Sequence, residues 1–490
     1  EIAQCLVGSE MCIRDSSGLM AETGKSFVKK FIGFSVVTWV SFIISFLSAP
    51  ISTRLFDPSV LGKINIFNTY TNLWGILILV GLDQAYARFY YERPNNRTVG
   101  YLFTFCFAVT YSLILLFVIL AIPFRDFLSQ VMFQEKDNLL LWLFFLSVFC
   151  TATLRYLNLT YRMEKDIKLY TIQGILMALI SKVLYIGVGF WDSSYKPALV
   201  VLTVSHLILA LVFLLIQKER FEKIRKYDKE VTKEIFSFAI PLIPVSILMW
   251  ANSSIPQIVM QNTMDYHSVG IFTSAVALAN IILLVQAGFN TYWVPYTYEN
   301  YKTQTGQFFK VHRYLVCVLT LFGLFVVLSQ DIIFLLLGEK YRAAKVFFPF
   351  LILAPICYII GETTGMGIGI SKKTYLNIIV FIVSVIVNIL FCMLLRIPMG
   401  IPGIAIATSI AAIVSMTLKT YLGEKHYHVV ESYKYMFFSV IAITASAIVT
   451  LLMGNVLVKY SLLLVVVFAT GLFFRHEVSD LFRYTKSFVR

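Results

Sequence analysis

Apolar runs of about 20 residues alternate with short polar breaks along almost the whole chain, and a helix of that length, rising 1.5 Å per residue, crosses the hydrocarbon of a bilayer. In the first half the runs are Phe31–Pro50, Ile66–Tyr90, Val99–Ile122, Leu139–Thr153, Leu169–Phe190 and Ala198–Ile216. In the second half they are Phe236–Met260, Val269–Tyr292, Val311–Ser329, Val346–Gly367, Tyr375–Leu395 and Ile401–Leu422, with Tyr435–Val456 and Leu462–Phe474 closing the chain. The pattern predicts an all-α, polytopic membrane protein of about 14 transmembrane helices. No connection is long enough to hold a folded soluble domain.

Composition agrees, since 58% hydrophobic residues, 14% charged residues and a mean hydropathy of +0.79 exceed what a water-facing globule carries. The first nineteen residues stand apart, with neither a span nor the charged start of a signal peptide. Met20 is the expected start, and CLVGSEMCIRDS resembles translated sequencing-adapter read-through. The remaining cysteines, Cys106, Cys150, Cys317, Cys357 and Cys392, show no metal-ligand spacing and read as small core hydrophobes.

The net charge of +14 is unevenly placed. Lys218, Arg220, Lys223, Arg225, Lys226, Lys229 and Lys233 crowd the break between the sixth and seventh spans, which the positive-inside rule places in the cytoplasm. Both termini are then expected inside. The charge reads as topology signal and anionic-lipid contact, and no nucleic-acid partner is implied.

An internal repeat organises the spans. Asp57 and Gly62 precede an apolar helix after the first span, and Asp265 and Gly270 do the same after the seventh, at a common offset of 208 positions. Six helices separate the copies, so both halves enter the membrane in the same direction, as in parallel-repeat transporters. The expected division is a leader over 1–19, an N-terminal six-helix lobe over 20–217, a basic linker over 218–235, a C-terminal six-helix lobe over 236–422, and two further helices with a tail over 423–490.

Ionisable residues inside spans are costly and tend to face a cavity or a partner. Arg54, Asp83, Arg88, Lys182, His206 and Glu362 stand out. Lys182 lies deep in its span, although a lysine stem can snorkel to the surface. Arg88 has Glu92 four residues on, so an interfacial ion pair competes with a substrate role. Asp83 calls for protonation or a cation partner, or else caps a kink or bonds a neighbouring helix. His206 among apolar neighbours suits hydrogen-bonded packing or a proton relay. Glu362 belongs to GETTGMGIGISKKT, whose glycines suit tight helix packing or a broken helix. Pro241, Pro244, Pro256 and Pro295 mark kinks in the spans after the linker.

The segments TWVSFIISFLSAPISTRLFDPSVLGKINIF and GLDQAYARFYYE resemble the Wzx-type polysaccharide flippases, of the superfamily that also holds the lipid II flippases and the multidrug and toxin extrusion antiporters. Arg54, Asp57, Gly62, Gly81, Asp83, Gln84, Arg88 and Glu92 carry the likeness, with Gly367, Gly369, Lys372, Lys373 and Thr374 late in the chain. The resemblance implies two helical bundles around a central cavity lined mainly by the first, second, seventh and eighth spans. It also implies transport of an undecaprenyl-diphosphate-linked oligosaccharide across the bacterial inner membrane, with a polysaccharide polymerase and glycosyltransferases as possible partners.

A diphosphate cannot cross hydrocarbon unshielded, and guanidinium suits it because its planar fork donates paired hydrogen bonds. Arg54 and Arg88 are therefore the expected anchors, with Lys182 as a point charge. Asn252, Asn262, Gln286 and Asn290 either bond sugar hydroxyls or hold helices together. Asp83 and Glu362 are the candidates for ion coupling. With no GxxxxGK[ST] segment, alternating access driven by an ion gradient is expected, without a cofactor. A multidrug antiporter of the same fold is the rival, favouring acidic cavity residues. A membrane glycosyltransferase or polymerase is disfavoured, because the loops are too short for a catalytic domain.

Overall fold

The computed structural model describes residues 24–224, 228–301 and 305–480. The leader expected over 1–19 and the end of the C-terminal tail lie outside them. Among the described residues the regular structure is helical, with no strand. Lipid imposes this, because a helix satisfies every backbone N–H and C=O within its own segment.

Among the described residues thirteen helical stretches are long and apolar enough to cross a membrane. Against the expected fourteen, the one left out is Pro58–Leu79, which has the length at 22 residues but carries Lys63, Asn65, Asn68 and Asn72. It is a polar helix in the place of the second span.

The chain forms two compact units, the first ending at Ala251 and the second beginning at Asn252. The first contains α1 (Gly24–Leu55), α2 (Pro58–Leu79), α3 (Leu82–Phe89), α4 (Val99–Ala121), α5 (Asn138–Met163), α6 (Ile167–Lys182), α7 (Tyr195–Ile216), α8 (Lys229–Ala239) and the start of α9 (Leu242–Thr263). On α4, Leu115, Leu116, Ile119 and Leu120 are exposed, while Leu102, Phe103 and Cys106 are buried. The division runs along the helix, its first half packed within the protein and its second half open to the surroundings.

Two breaks shape this unit. Between α2 and α3 the backbone turns through Val80 (φ 50°) and Gly81 (φ 72°). Glycine is needed at the second position, since a Cβ there would lie 2.5 Å from the Ala239 carbonyl oxygen at the end of α8. Between α8 and α9 the chain passes Ile240 and Pro241, and proline has no N–H to continue the ladder. The linker expected over 218–235 is helical from Lys229 onward, where Val231, Ile235 and Ala239 form a buried stripe on α8.

The second unit continues from α9 into α10 (Tyr266–Ala279), α11 (Leu283–Asn300), α12 (Thr305–Leu328), α13 (Phe348–Thr364), α14 (Met366–Ile370), α15 (Tyr375–Met399), α16 (Ile401–Glu424), α17 (Lys434–Leu452) and α18 (Val456–Phe473). The repeat reappears as local structure. α1 ends at Leu55 and Asp57 is the N-cap of α2; α9 ends at Thr263 and Asp265 is the N-cap of α10. Gly62 and Gly270 are buried one turn later. The five cysteines from Cys106 onward are buried and free.

Candidate functional site

The break at Val80–Gly81 starts α3 within the protein, and Asp83 in its first turn is 6% exposed. Its carboxylate oxygen Oδ2 accepts from Arg155 Nε at 3.1 Å and Gln84 Nε2 at 3.0 Å, with Arg155 Nη2 in ion-pair contact at 3.0 Å. Arg155 comes from α5, a membrane-length helix of 26 residues. Below the pair, Tyr86 bonds Thr160 at 3.2 Å and Tyr156 bonds Thr110 at 2.8 Å, so the neighbouring buried hydroxyls are satisfied.

Arg155 escapes the sequence reading because the fourth span was expected to end at Thr153. The helix instead runs to Met163, placing the guanidinium inside it. The missed signal is the spacing of Leu154, Leu157 and Tyr161, all buried on one helical face.

At the other end of α3, Arg88 Nη2 pairs with Glu92 Oε2 at 2.8 Å, the ion pair that their spacing predicts. Arg88 also lines an open cavity of about 450 Å³ together with Tyr91, Glu92, Arg93, Arg97, Thr98 and Glu234. Arg97 Nη2 holds Asp228 Oδ2 at 2.9 Å, and Asp228 Oδ1 caps α8 by accepting from Glu230 and Val231 N–H. The Arg97 hydrogen bond, followed by that from Val231 N–H, brings the Asp228 carboxyl down to about 2.

Arg54 is exposed in the last turn of α1. Arg54 precedes α2, whose 22 residues span roughly 33 Å at 1.5 Å per residue, and Arg88 follows its other end, in the last turn of α3 beyond the break at Val80–Gly81. The two expected anchors therefore cannot grip one diphosphate together. Lys182 is exposed at the last residue of α6. His206 Nε2 is 3.0 Å from Ser181 Oγ, a hydrogen bond between α7 and α6.

In the second unit, Asn252 Oδ1 accepts from Ser384 Oγ at 2.7 Å and its backbone oxygen accepts from Asn388 Nδ2 at 3.3 Å, which ties α9 to α15. Asn262 is exposed and donates to the Ile258 carbonyl at 2.9 Å, and Gln286 is half-buried. The Asn290 side chain lies outside the described residues. Glu362 on α13 pairs with Lys419 on α16, beside a Thr364–Thr420 hydroxyl contact of 2.7 Å. Both expected coupling acids thus have a resident cation, Arg155 for Asp83 and Lys419 for Glu362. Among the described residues no group of three His, Cys, Asp or Glu could hold a metal.

The architecture is similar to that of solved membrane transporters. It matches the lipid II flippase MurJ in an inward closed conformation with a TM-score of 0.65 at 14% identity, covering 91% of this chain and 100% of that one. A multidrug resistance MATE family transporter of the MOP superfamily matches inward-facing with a TM-score of 0.57 at 16% identity, covering 78% of this chain and 94% of that one. An outward-facing MATE transporter matches with a TM-score of 0.53 at 16% identity, over 81% and 95%. These likenesses define the class: a multi-pass membrane protein with the MurJ/MATE-like transporter fold. Residues 27–301 match the polysaccharide biosynthesis protein family, and the chain belongs to that family. No curated protein matches it.

Proposed function

We propose that the protein is a flippase that carries an undecaprenyl-diphosphate-linked oligosaccharide from the cytoplasmic to the outer leaflet of the bacterial inner membrane, by alternating access. The observation that carries this reading is the family match over 27–301, which includes α1 to α9 and their charged residues. The fold supports it through its likeness to a lipid II flippase.

The charges favour an anionic cargo over the cationic drugs of the antiporter reading. Asp83 and Glu362 are each neutralised by a cation, whereas among the described residues Arg54 and Lys182 have no carboxylate partner. Positive charge is left over. Because Arg54 and Arg88 are a helix length apart, they meet the diphosphate at different stages: Arg88 on the cytoplasmic side, with Arg93 and Arg97 beside it, and Arg54 on the outer side. Lys182 adds a third cation, and Asn262, Gln286 and Asn290 meet sugar hydroxyls, while Asn252 holds helices. Coupling to an ion gradient runs through Asp83 and Glu362, each of which must be released by its cation before it takes up an ion. Both termini are cytoplasmic, and a polymerase and glycosyltransferases act on the same glycan.

The test is a deletion strain complemented with wild type, Arg54→Ala or Arg88→Ala, scored for surface glycan and accumulated lipid-linked precursor. Deletion should remove glycan and build up precursor, with both variants restoring less than wild type. Normal glycan without precursor in the deletion strain, together with new drug sensitivity, would favour the antiporter. Full export by both variants would remove these arginines from the mechanism.

A further inference from the structure

The Asp83–Arg155 pair has a geometry that a purely structural ion pair does not need. The contacts converge on Oδ2 alone, a hydrogen bond each from Arg155 Nε and Gln84 and an ion-pair contact from Arg155 Nη2. The Asp83 side chain is 9% exposed, while that of Arg155 is 29% exposed, so the acid is enclosed and the guanidinium keeps an open side. The pair stands where the polar α2 breaks, at a turn with two successive left-handed residues that Gly81 makes possible. An intramembrane ionisable pair is expensive, and a buried one is a weak source of stability compared with apolar packing. Its retention needs another reason.

We infer that Arg155 is a phosphate-receiving residue of the transport cycle and that the Asp83 carboxylate occupies its fork between cargoes as a stand-in anion. The inference rests on the flippase reading and adds to it a residue that the sequence did not single out. A carboxylate oxygen and a phosphate oxygen are both anionic acceptors for a guanidinium, so one can replace the other at Arg155 without moving α5. The displaced carboxylate keeps its Gln84 bond. The other groups around it are Cys106 from α4 and Tyr156 from α5, with Tyr156 already bonded to Thr110. Arg88, on α3 itself, is held by Glu92, and α8 brings Phe238 and Ala239 to α3. Phosphate binding and carboxylate release thereby become one exchange at one guanidinium.

The test measures binding of farnesyl diphosphate to full-length protein in nanodiscs, with inorganic pyrophosphate as a second probe. Competition gives the two single variants opposite signs. Asp83→Asn frees the fork and should tighten binding, whereas Arg155→Gln should weaken it, each by roughly tenfold, the scale of one charge-assisted hydrogen bond. The double variant Asp83→Asn/Arg155→Gln should fold with the wild-type Tm and still bind poorly. Arg155→Lys, which keeps the charge and loses the fork, should bind weakly and serves if the glutamine variant does not fold. Equal affinity in wild type, Asp83→Asn and Arg155→Gln would overturn the inference while leaving the flippase reading intact. A wild type that binds neither probe would overturn both. Pyrophosphate binding as tight as farnesyl diphosphate would support the fork and show that it reads phosphate alone and not its lipid.

Discussion

Gly367→Ala tests the packing that holds α13 and α14 against α16. A Cβ on Gly367 would stand 2.0 Å from the Gly423 carbonyl oxygen and 2.9 Å from its carbon. Ordinary contact is about 3.5 Å, so the helices must separate by about 1.5 Å. The same approach is tight from the other side, where a Cβ on Gly423 would lie 2.3 Å from the Thr364 oxygen. Overpacking of this kind costs about 1–3 kcal/mol. Separation also breaks the 2.7 Å Thr364–Thr420 bond, worth about 1 kcal/mol. The sum is about 2–4 kcal/mol, and for a unit of this size it lowers Tm by roughly 5–10 °C. Thermal unfolding in detergent reads this directly, with Gly454→Ala as the control because a Cβ there meets nothing within 4 Å. A Gly367→Ala protein melting within a degree of wild type would refute the close-approach reasoning.

Gly81→Ala combines a left-handed backbone with a 2.5 Å clash against the Ala239 oxygen, and it should cost at least about 2 kcal/mol and raise hydrogen exchange in α8. Asn252→Ala should lower stability by about 1 kcal/mol through loss of the Ser384 bond, while leaving diphosphate affinity unchanged; a fall in affinity without a fall in Tm would return Asn252 to the binding site. Asp331, outside the spans, is raised by burial but brought down more strongly by hydrogen bonds from Lys459 and Tyr460, to about 2. Its folded pKa is thus depressed, so its contribution is complete above about pH 4 and is lost as pH falls toward 2. Tm measured across that window should drop in wild type, and the drop should shrink in Asp331→Asn.

The spans were legible because a bilayer demands long apolar runs and permits almost nothing else. The same reasoning misled where a membrane-length helix is polar or carries charge. Lys63 and Asn65 delayed the expected start of the second span to Ile66, although α2 begins at Pro58. The fourth span was cut at Thr153, which hid Arg155. α8 was read partly as a basic linker, yet Val231, Ile235 and Ala239 give it one buried face. The Arg88–Glu92 pair was legible because its members stand only four residues apart. The partners of Asp83 and Glu362 were not, since Arg155 and Lys419 approach from helices distant in sequence and only packing brings them together.

The central claim is tested most directly by reconstituting the purified protein in liposomes that carry a short-chain lipid-diphosphate oligosaccharide in one leaflet, and following its arrival in the other. The account predicts protein-dependent transfer that an imposed ion gradient accelerates and that Arg155→Gln slows. Transfer no faster than in protein-free liposomes, with and without the gradient, would contradict it.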